Sequence, residues 1–445
     1  MGKIFFVLNL LLLVYLVFRS RRNAGVGLCL LWSLYAMEQF LQASHPFFLR
    51  NGKLLNFGIV GVAAFGLVAA FSAGKIKKMQ FTRAHAWWFV LMILVCLSVT
   101  WAIDPRESFG RLKSASPYII GFALIGPFCA FDDVELDRAF KYMIWLGAVV
   151  LPGLLFTGFG ARSVVIAYDY AKGQNIEGNP LAVGAFAGYV VVACAFSIYA
   201  HKSNMFVSLF KAGLAILGLF VIVRTGSRGQ LIGVVLSCMI WLPLTMKMAL
   251  KKSTIIPMAG AGLLLCVAML FIGQQKDLVW RWSSSRLQGD QVGRLERAQT
   301  LVGEMYEAGP LAWLGGLGSS SSFQLVGGYP HFVPGEILGE EGILGLILFI
   351  GFLFSAAYAG WRTINLPSLE KQTRVNIGAL LALFTYQFLL CLKQGSLIGS
   401  TELFSVGLCI AITARGAKIR SREKMKRQML SVQQMSLANR QLAGM

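Results

Sequence analysis

The chain has 445 residues, of which 56% are hydrophobic and 14% are charged, and its mean hydropathy is +0.65. Soluble domains carry about 25% charged residues, so this composition excludes a water-soluble globule. Long unbroken apolar runs, in place of alternating ones, argue against a transmembrane β-barrel. The formal charge of +21 is assigned mainly to cytoplasmic loops, which collect Lys and Arg in membrane proteins, and no nucleic-acid partner is expected.

Apolar segments long enough to cross a bilayer recur along the whole chain, since each span needs roughly 17–25 mostly apolar residues. The predicted fold is an all-α, polytopic membrane helix bundle of about 12 to 13 transmembrane helices, with one large outer loop that carries short helices. The predicted spans are 4–18, 25–42, 55–74, 87–103, 115–131, 139–159, 180–200, 206–223, 229–246, 254–273, 335–357, 375–392 and 397–414.

The predicted spans divide the chain into four parts. An N-terminal bundle (1–273) is followed by a large periplasmic loop (274–334), C-terminal spans (335–414) and a basic cytoplasmic tail (415–445). The segment 4–18 is read as a first span because its positive charges follow the apolar run, whereas a signal peptide has them before it.

The orientation follows from five loops rich in Lys and Arg, which are expected in the cytoplasm. They begin at Arg19, Lys75, Lys247, Arg362 and Arg415. With the acidic loop 132–141 they place the C-terminus inside and the N-terminus outside. The outer face then receives 104–113, 160–179, 224–228, 274–334 and 393–396.

The cysteines and histidines indicate neither a disulfide framework nor a metal site. All eight Cys lie in apolar runs and read as small hydrophobic residues. The four His form no cluster with metal-ligand spacing. No metal and no cofactor is therefore expected.

Arg224 and Arg228 flank the stretch Thr225-Gly226-Ser227 at the outer end of two adjoining spans. In a helix this spacing would place both guanidinium groups on one face, where they repel each other. A pyrophosphate would relieve that repulsion and suits the forked guanidinium geometry. The alternative is that both side chains reach towards lipid phosphates.

The large outer loop holds a second group of arginines, on the face that normally avoids positive charge. It comprises Arg281, Arg286, Arg294 and Arg297. The periodic stretch 292–306 predicts an amphipathic helix that opens near Arg294, and a Gly/Ser stretch follows at 315–322. Ordinary surface pairing of Arg297 with Glu296 or Glu304 is the alternative.

His331 stands directly before a span, and Glu336, Glu340 and Glu341 follow at its mouth. A histidine there can accept a proton near neutral pH. Carboxylates entering hydrocarbon are costly, so at least one is expected to face a wet cavity or an arginine. A hydrogen-bonding role is the alternative for a lone His. A weaker candidate is the outer loop 162–173, whose charges and aromatic rings could contact sugar or simply be solvated.

Three of these stretches together resemble the superfamily of O-antigen ligases and Wzy-type polysaccharide polymerases. The first is Thr225-Gly226-Ser227-Arg228-Gly229, and the second is Gly293-Arg294-Leu295-Glu296-Arg297 with the glycines of the 315–318 turn. The third is His331 followed by Gly342 and Gly345, where Phe332 replaces the family's polar residue. The stretch 101–105 (Trp-Ala-Ile-Asp-Pro) is also similar to the family.

The resemblance implies a metal-independent, inverting glycosyltransferase of the bacterial inner membrane, with its site facing the periplasm. It would move a glycan from undecaprenyl pyrophosphate to a glycan or lipid A-core acceptor. Arg228 and Arg294 would stabilise the leaving diphosphate, and His331 would orient or deprotonate the acceptor hydroxyl. Arg224, Arg281, Arg297 and Glu336 are the predicted substrate-binding residues. The Phe332 departure leaves ligase and polymerase open, and the spacing of Arg162 and Gly173 is similar to a polymerase loop.

Two alternatives belong to other classes. A transporter or flippase for a lipid-linked glycan would show flux without bond cleavage, and such proteins often contain internal repeats, of which the sequence shows none. A non-catalytic membrane scaffold would not need arginines concentrated on the outer face.

Overall fold

The computed structural model describes residues 2–76, 80–156, 164–169, 174–200, 204–246 and 284–443. The N-terminal part contains eleven described α-helices: α1 (Gly2–Ser20), α2 (Gly25–Ser44), α3 (Pro46–Arg50), α4 (Gly52–Ser72), α5 (Arg83–Ser98), α6 (Pro105–Ile119), α7 (Gly126–Cys129), α8 (Asp133–Phe156), α9 (Pro180–Ala200), α10 (Met205–Arg224) and α11 (Arg228–Met246). A π-helical segment, Ile120–Ile125, joins α6 to α7, so that Pro105–Cys129 is one continuous helical rod.

The C-terminal part begins with the helices of the predicted outer loop: α12 (Ser284–Glu307), α13 (Pro310–Gly315) and α14 (Ser322–Val326). Three long helices follow, α15 (Val333–Ile364), α16 (Lys371–Cys391) and α17 (Thr401–Ala443). The basic tail is thus helical and continuous with the last span.

Within the part of the chain that the structure describes, ten helices are long and apolar enough to cross a membrane. This agrees with a polytopic helical bundle. The predicted spans 25–42 and 397–414 are also helical, in α2 and the first part of α17, but they are less apolar than those ten. The predicted span 254–273 lies outside the described residues.

Two segments that were predicted as outer loops differ from the structure. The segment 104–113, expected as an outer loop, forms the start of α6, because Asp104 caps that helix by accepting a hydrogen bond from Glu107 N at 2.9 Å and Pro105 pre-sets its first turn. The 160–179 segment, expected as a loop, contains an antiparallel hairpin of β1 (Val164–Asp169) and β2 (Gln174–Gly178).

The core lies where α2, α9, α16 and the first half of α17 pack together, surrounded by protein on most sides. The indole Nε1 of Trp32 donates to Ser405 Oγ at 3.1 Å, and the Trp32 ring stacks on Tyr189 at 5.4 Å. Large apolar side chains on outer helices are exposed instead, such as Phe206 at 77% and Phe354 at 69%. Lipid is the natural partner of such faces.

One end of the bundle collects several of the loops that the sequence assigns to the cytoplasm, and it is called the basic end below. Lys75 Nζ donates to Arg22 O at 2.7 Å. Asp133, which the structure places at the start of α8 and not in the expected loop 132–141, pairs with Arg420 of the tail and accepts from Thr373 Oγ1. These contacts join two distant segments in the first case and three in the second, and all five segments are predicted to be cytoplasmic.

Candidate functional site

The stretch 225–229 forms a turn between two helices. Helix α10 ends at Arg224 and α11 begins at Arg228, and Gly226 between them has a φ of 68°, which favours glycine. The two arginines therefore do not share one helical face, and the repulsion expected for a continuous helix does not arise. Arg224 stands at the negative end of its helix, whereas Arg228 stands at the positive end of the next, where an anion is the favoured neighbour.

Helix α12 packs on the first three turns of α15 through small residues. It begins at Ser284, earlier than the expected start near Arg294. A Cβ added at Gly335 would lie 3.0 Å from Ala298 Cβ, and one at Gly339 would lie 2.4 Å from Leu301 Cγ. Glycines four residues apart let two helices approach closely. This contact fixes the face of α12 that carries Arg294 beside the entrance of α15.

Helix α15 is broken at Gly342, where φ is 68° and ψ is −166°. A Cβ there would lie 2.4 Å from Leu314 O and 2.6 Å from Gly316 N. The glycine-rich turn that follows α13 is therefore seated directly in the break. The glycines of the second and third family-like stretches thus meet each other, and their role is backbone-to-backbone packing.

The carboxylates at the mouth of α15 hold backbone in place. Glu340 accepts from Ser320 N at 2.7 Å and from Ser322 N at 3.0 Å. Glu341 accepts from Ser98 Oγ at 3.0 Å, and Ser98 Oγ in turn accepts from Ser319 N at 3.1 Å. Glu340 is thus satisfied by two backbone amides, whereas Glu341 Oε2 and Glu336 Oε2 are buried without a hydrogen-bond partner among the described residues.

The stretch 101–105 also reaches this assembly. A Cβ at Gly318 would lie 2.4 Å from Ala102 Cα, and Ile103 N donates to Ser321 Oγ at 3.3 Å. The 315–322 stretch is therefore held between α15 on one side and the start of α6 on the other.

A loop between α16 and α17, residues 392–400, connects the predicted motifs and is called the central loop below. Arg294 Nη1 donates to Lys393 O at 2.7 Å. The side chain of Lys393 lies against Gly229, where an added Cβ would be 2.4 Å from Lys393 Cδ and 2.9 Å from Nζ. Lys393 therefore lies between Arg294 and the first turn of α11, which carries Arg228.

The central loop also joins the segment that contains His331. Glu336 Oε1 accepts from Leu397 N at 2.9 Å. Glu336 is 1% exposed, so the structure places it as a support of the loop, and its predicted contact with substrate stays a prediction.

Arg228, Arg294 and the central loop are together called the cluster below. His331 is exposed and lies at its edge. Its φ of 59° is uncommon for a non-glycine residue and sets its orientation apart from the helix that follows. Desolvation, followed by the positive charges of Arg294 and Arg297, lowers the pKa of His331 below its ordinary value of about 6.5. The ring is therefore neutral at pH 7 and able to accept a proton.

The remaining predicted residues are placed less centrally. Arg297 is exposed on α12 and makes no ion pair with a described carboxylate, so the expected pairing with Glu296 or Glu304 is not formed. Arg224 is half-buried at the end of α10. Arg281 lies outside the described residues, as does Arg162 of the weaker loop candidate.

Two functional candidates were missed by sequence reasoning. Lys393 lies in the predicted outer segment 393–396, but its charge was not recognised there as a candidate for substrate binding. Arg111 of α6 lies 3.1 Å above the Phe323 ring centroid and pairs with Glu107 at 2.5 Å. The rule used for the other arginines, a cation on the face that avoids them, would have found both.

An apolar groove of about 590 Å³ opens beside the cluster, between α12 and the first turns of α15. Leu295, Val302, Phe332, Leu338 and Leu346 are among its lining residues. Leu295 directly follows Arg294 in the sequence, and Phe332 directly follows His331. Phe332, which departs from the family pattern, thus extends an apolar wall next to His331.

A smaller cavity of about 190 Å³ lies on the other side of the central loop. It is called the polar cavity below, because its lining is more polar than that of the groove. Gln387, Gln394, Ser400 and Glu402 line it. Gln387 Nε2 donates to Glu402 Oε2 at 2.7 Å, which orients the carboxylate. Amide, hydroxyl and carboxylate groups in one small cavity can bind the hydroxyl groups of a sugar.

No family model matches this chain, and no curated protein matches it either.

Proposed function

We propose that the chain is a membrane glycosyltransferase of the O-antigen ligase or polysaccharide polymerase type. It takes a saccharide from undecaprenyl pyrophosphate and transfers it to a hydroxyl group of a glycan or lipid A-core acceptor. The reaction needs no metal and inverts the anomeric centre. It takes place at the periplasmic side of a bacterial inner membrane.

The observation that carries this proposal is the convergence on the central loop. Arg294 binds the carbonyl of Lys393, while the Lys393 side chain lies on Gly229, next to Arg228. The positive charges of Arg294 and Arg297 add to desolvation in lowering the pKa of His331. Cations from three separate segments beside one neutral imidazole suit a reaction with an anionic leaving group and a neutral nucleophile.

The apolar groove supports a lipid-linked donor. A polyprenyl diphosphate joins a long hydrocarbon chain to two phosphates, so it needs apolar and cationic surface in immediate succession. Arg294 and Leu295 provide this succession on α12, and Phe332 continues the apolar surface at the start of α15. The isoprenoid would lie along the groove with its diphosphate at the arginines.

The proposed step forms one bond and breaks one. The acceptor oxygen attacks the anomeric carbon from the face opposite the diphosphate, and the bond from that carbon to the diphosphate oxygen breaks. His331 takes the proton of the acceptor hydroxyl, and the electron pair of the broken bond stays on undecaprenyl pyrophosphate. Arg228, Arg294 and Lys393 stabilise the charge that builds on the leaving oxygen.

The polar cavity supports a position for one of the sugars. Glu402 and Gln387 would accept and donate hydrogen bonds to hydroxyl groups, while the central loop separates this cavity from the arginines. A glycan held there would lie across the loop from the diphosphate.

The test is transfer by purified protein in proteoliposomes that contain a polyprenyl-diphosphate-linked glycan and an acceptor. Arg228→Ala, Arg294→Ala and His331→Ala are each expected to lower the rate at least a hundredfold, since preorganised charge and general base groups each contribute about that much. Arg106→Ala removes an exposed cation from α6 and serves as the control.

Glycan flux without bond cleavage would contradict the proposal and favour the flippase alternative. Normal transfer by all three site variants would refute the assigned residues. Product analysis after gene deletion separates the two family types: single repeats left on lipid A-core indicate a polymerase, and long chains left on the lipid carrier indicate a ligase.

A further inference from the structure

A third cavity, larger than the other two, lies at the basic end of the bundle. Its volume is about 810 Å³, and it is enclosed by the start of α5, the end of α15 and the middle of α17. Gly342 and Arg362 mark the two ends of the straight part of α15, and 20 residues of helix span about 30 Å. Arg362, which lines this cavity, is therefore about one hydrocarbon thickness from the break at Gly342.

Four cations line this cavity: Arg83, Arg362, Arg415 and Lys418. No Asp or Glu stands among the described residues that line it, and none of the four makes an ion pair with a described carboxylate. Arg415 donates to the backbone carbonyl of Phe81, which neutralises no charge. The four groups repel one another across the cavity, and an anion between them would remove that repulsion.

The helix that begins at this cavity adds to the positive potential. Arg83 is the first residue of α5, where the helix already carries about half a positive charge. The tendency of Lys and Arg to collect in cytoplasmic loops explains the sign of these charges. It does not explain why cations from three distant segments face one cavity without acidic neighbours.

The wall of the cavity on the membrane side is aromatic and apolar. Phe354 is 69% exposed, Tyr358 is 50% exposed and Trp87 is 36% exposed. Phe354 and Tyr358 stack with ring centroids 5.7 Å apart, and Trp87 lies over Gly351, where an added Cβ would be 2.7 Å from its ring. Side chains of this kind form a smooth surface along which acyl chains can lie.

We propose that this cavity is a binding site for an anionic phospholipid with two phosphate groups, drawn from the adjoining leaflet. Each phosphate pairs with two of the four cations, and the acyl chains lie along Phe354 and Tyr358 towards the bilayer. Basic pockets between transmembrane helices are known to bind headgroups of this class. The site is separate from the proposed transferase site and does not depend on that function.

The proposal is tested by native mass spectrometry of the full-length protein in detergent with equal concentrations of cardiolipin, phosphatidylglycerol and phosphatidylethanolamine. Cardiolipin is expected to bind with the highest occupancy and phosphatidylethanolamine with the lowest. The double variant Arg83→Gln with Arg362→Gln should weaken cardiolipin binding roughly 30-fold, because each basic residue near the headgroups contributes about a factor of five.

The control is a double variant that loses the same charge at the same end, Lys371→Gln with Arg422→Gln, since both side chains are exposed and neither lines the cavity. It should leave cardiolipin affinity within about twofold. Equal occupancy by the three lipids, or equal weakening by both double variants, would overturn the proposal. Displacement of cardiolipin by millimolar inorganic phosphate would assign the site to free phosphate instead, and tighter binding of a single-phosphate polyprenyl lipid would also overturn it.

Discussion

Gly342 provides a direct test of whether the break in α15 builds the candidate site. Its φ of 68° and ψ of −166° belong to a region that costs other residues about 1–3 kcal/mol. In Gly342→Ala the new methyl group would also lie 2.4 Å from Leu314 O and 2.6 Å from Gly316 N. Both are backbone atoms, so the glycine-rich turn must move, at a further cost of about 1–3 kcal/mol.

Gly309→Ala is the matched control, because it introduces backbone strain at a similar φ and ψ without a steric clash of the new methyl group. Its φ of 97° and ψ of −177° lie in the same region, yet nothing stands within 4 Å of an added Cβ. Gly309→Ala should therefore carry the strain alone, and Gly342→Ala should be less stable than it by about 2 kcal/mol.

The assays are the melting temperature in detergent and the transfer rate in proteoliposomes. Gly342→Ala is expected to melt several degrees below Gly309→Ala and to lose most transfer activity. The displaced turn would lose its hydrogen bonds to Glu340 and would no longer hold the neighbouring helix ends in place. Equal melting temperatures and equal rates for the two variants would show that the contact at the break supports neither the fold nor the site.

Three further predictions concern the cluster itself. The transfer rate should fall with decreasing pH only below about 6.5, since the pKa of His331 is lowered by desolvation and by two arginines; Arg297→Gln removes one of these charges, raises that pKa and should move the acid limb of the rate profile to higher pH, and an unmoved limb would exclude the coupling. Glu340→Gln weakens two hydrogen bonds from backbone amides and should lower the free energy of unfolding by about 1–3 kcal/mol, whereas the exposed Glu304→Gln should change it by about 0.5 kcal/mol at most; chemical unfolding measures both. Lys393→Met keeps the carbonyl that binds Arg294 but removes the charge beside Gly229, so kcat should fall at least tenfold, and an unchanged kcat would exclude Lys393 from diphosphate binding.

Hydropathy alone predicted most of the helices, because each span is a local property of about 20 residues. The span 180–200 coincides with α9, and 229–246 differs from α11 by one residue. Local polar signals were harder to interpret. Asp104 and Pro105 are a helix start that was interpreted as part of a loop, and the turn at Gly226 excludes the shared helical face that was considered for Arg224 and Arg228.

The sequence by itself determined that this chain is a bundle of membrane helices, and it singled out arginines, a histidine and glycine-rich turns as candidates. The tertiary structure decided which of these meet. Arg294 reaches Lys393 across 99 residues of sequence, and Ser98 reaches Glu341 across 243. Such contacts depend on how closely helices approach at Gly335, Gly339 and Gly342, which is set by packing in three dimensions and leaves no periodic signal along the chain.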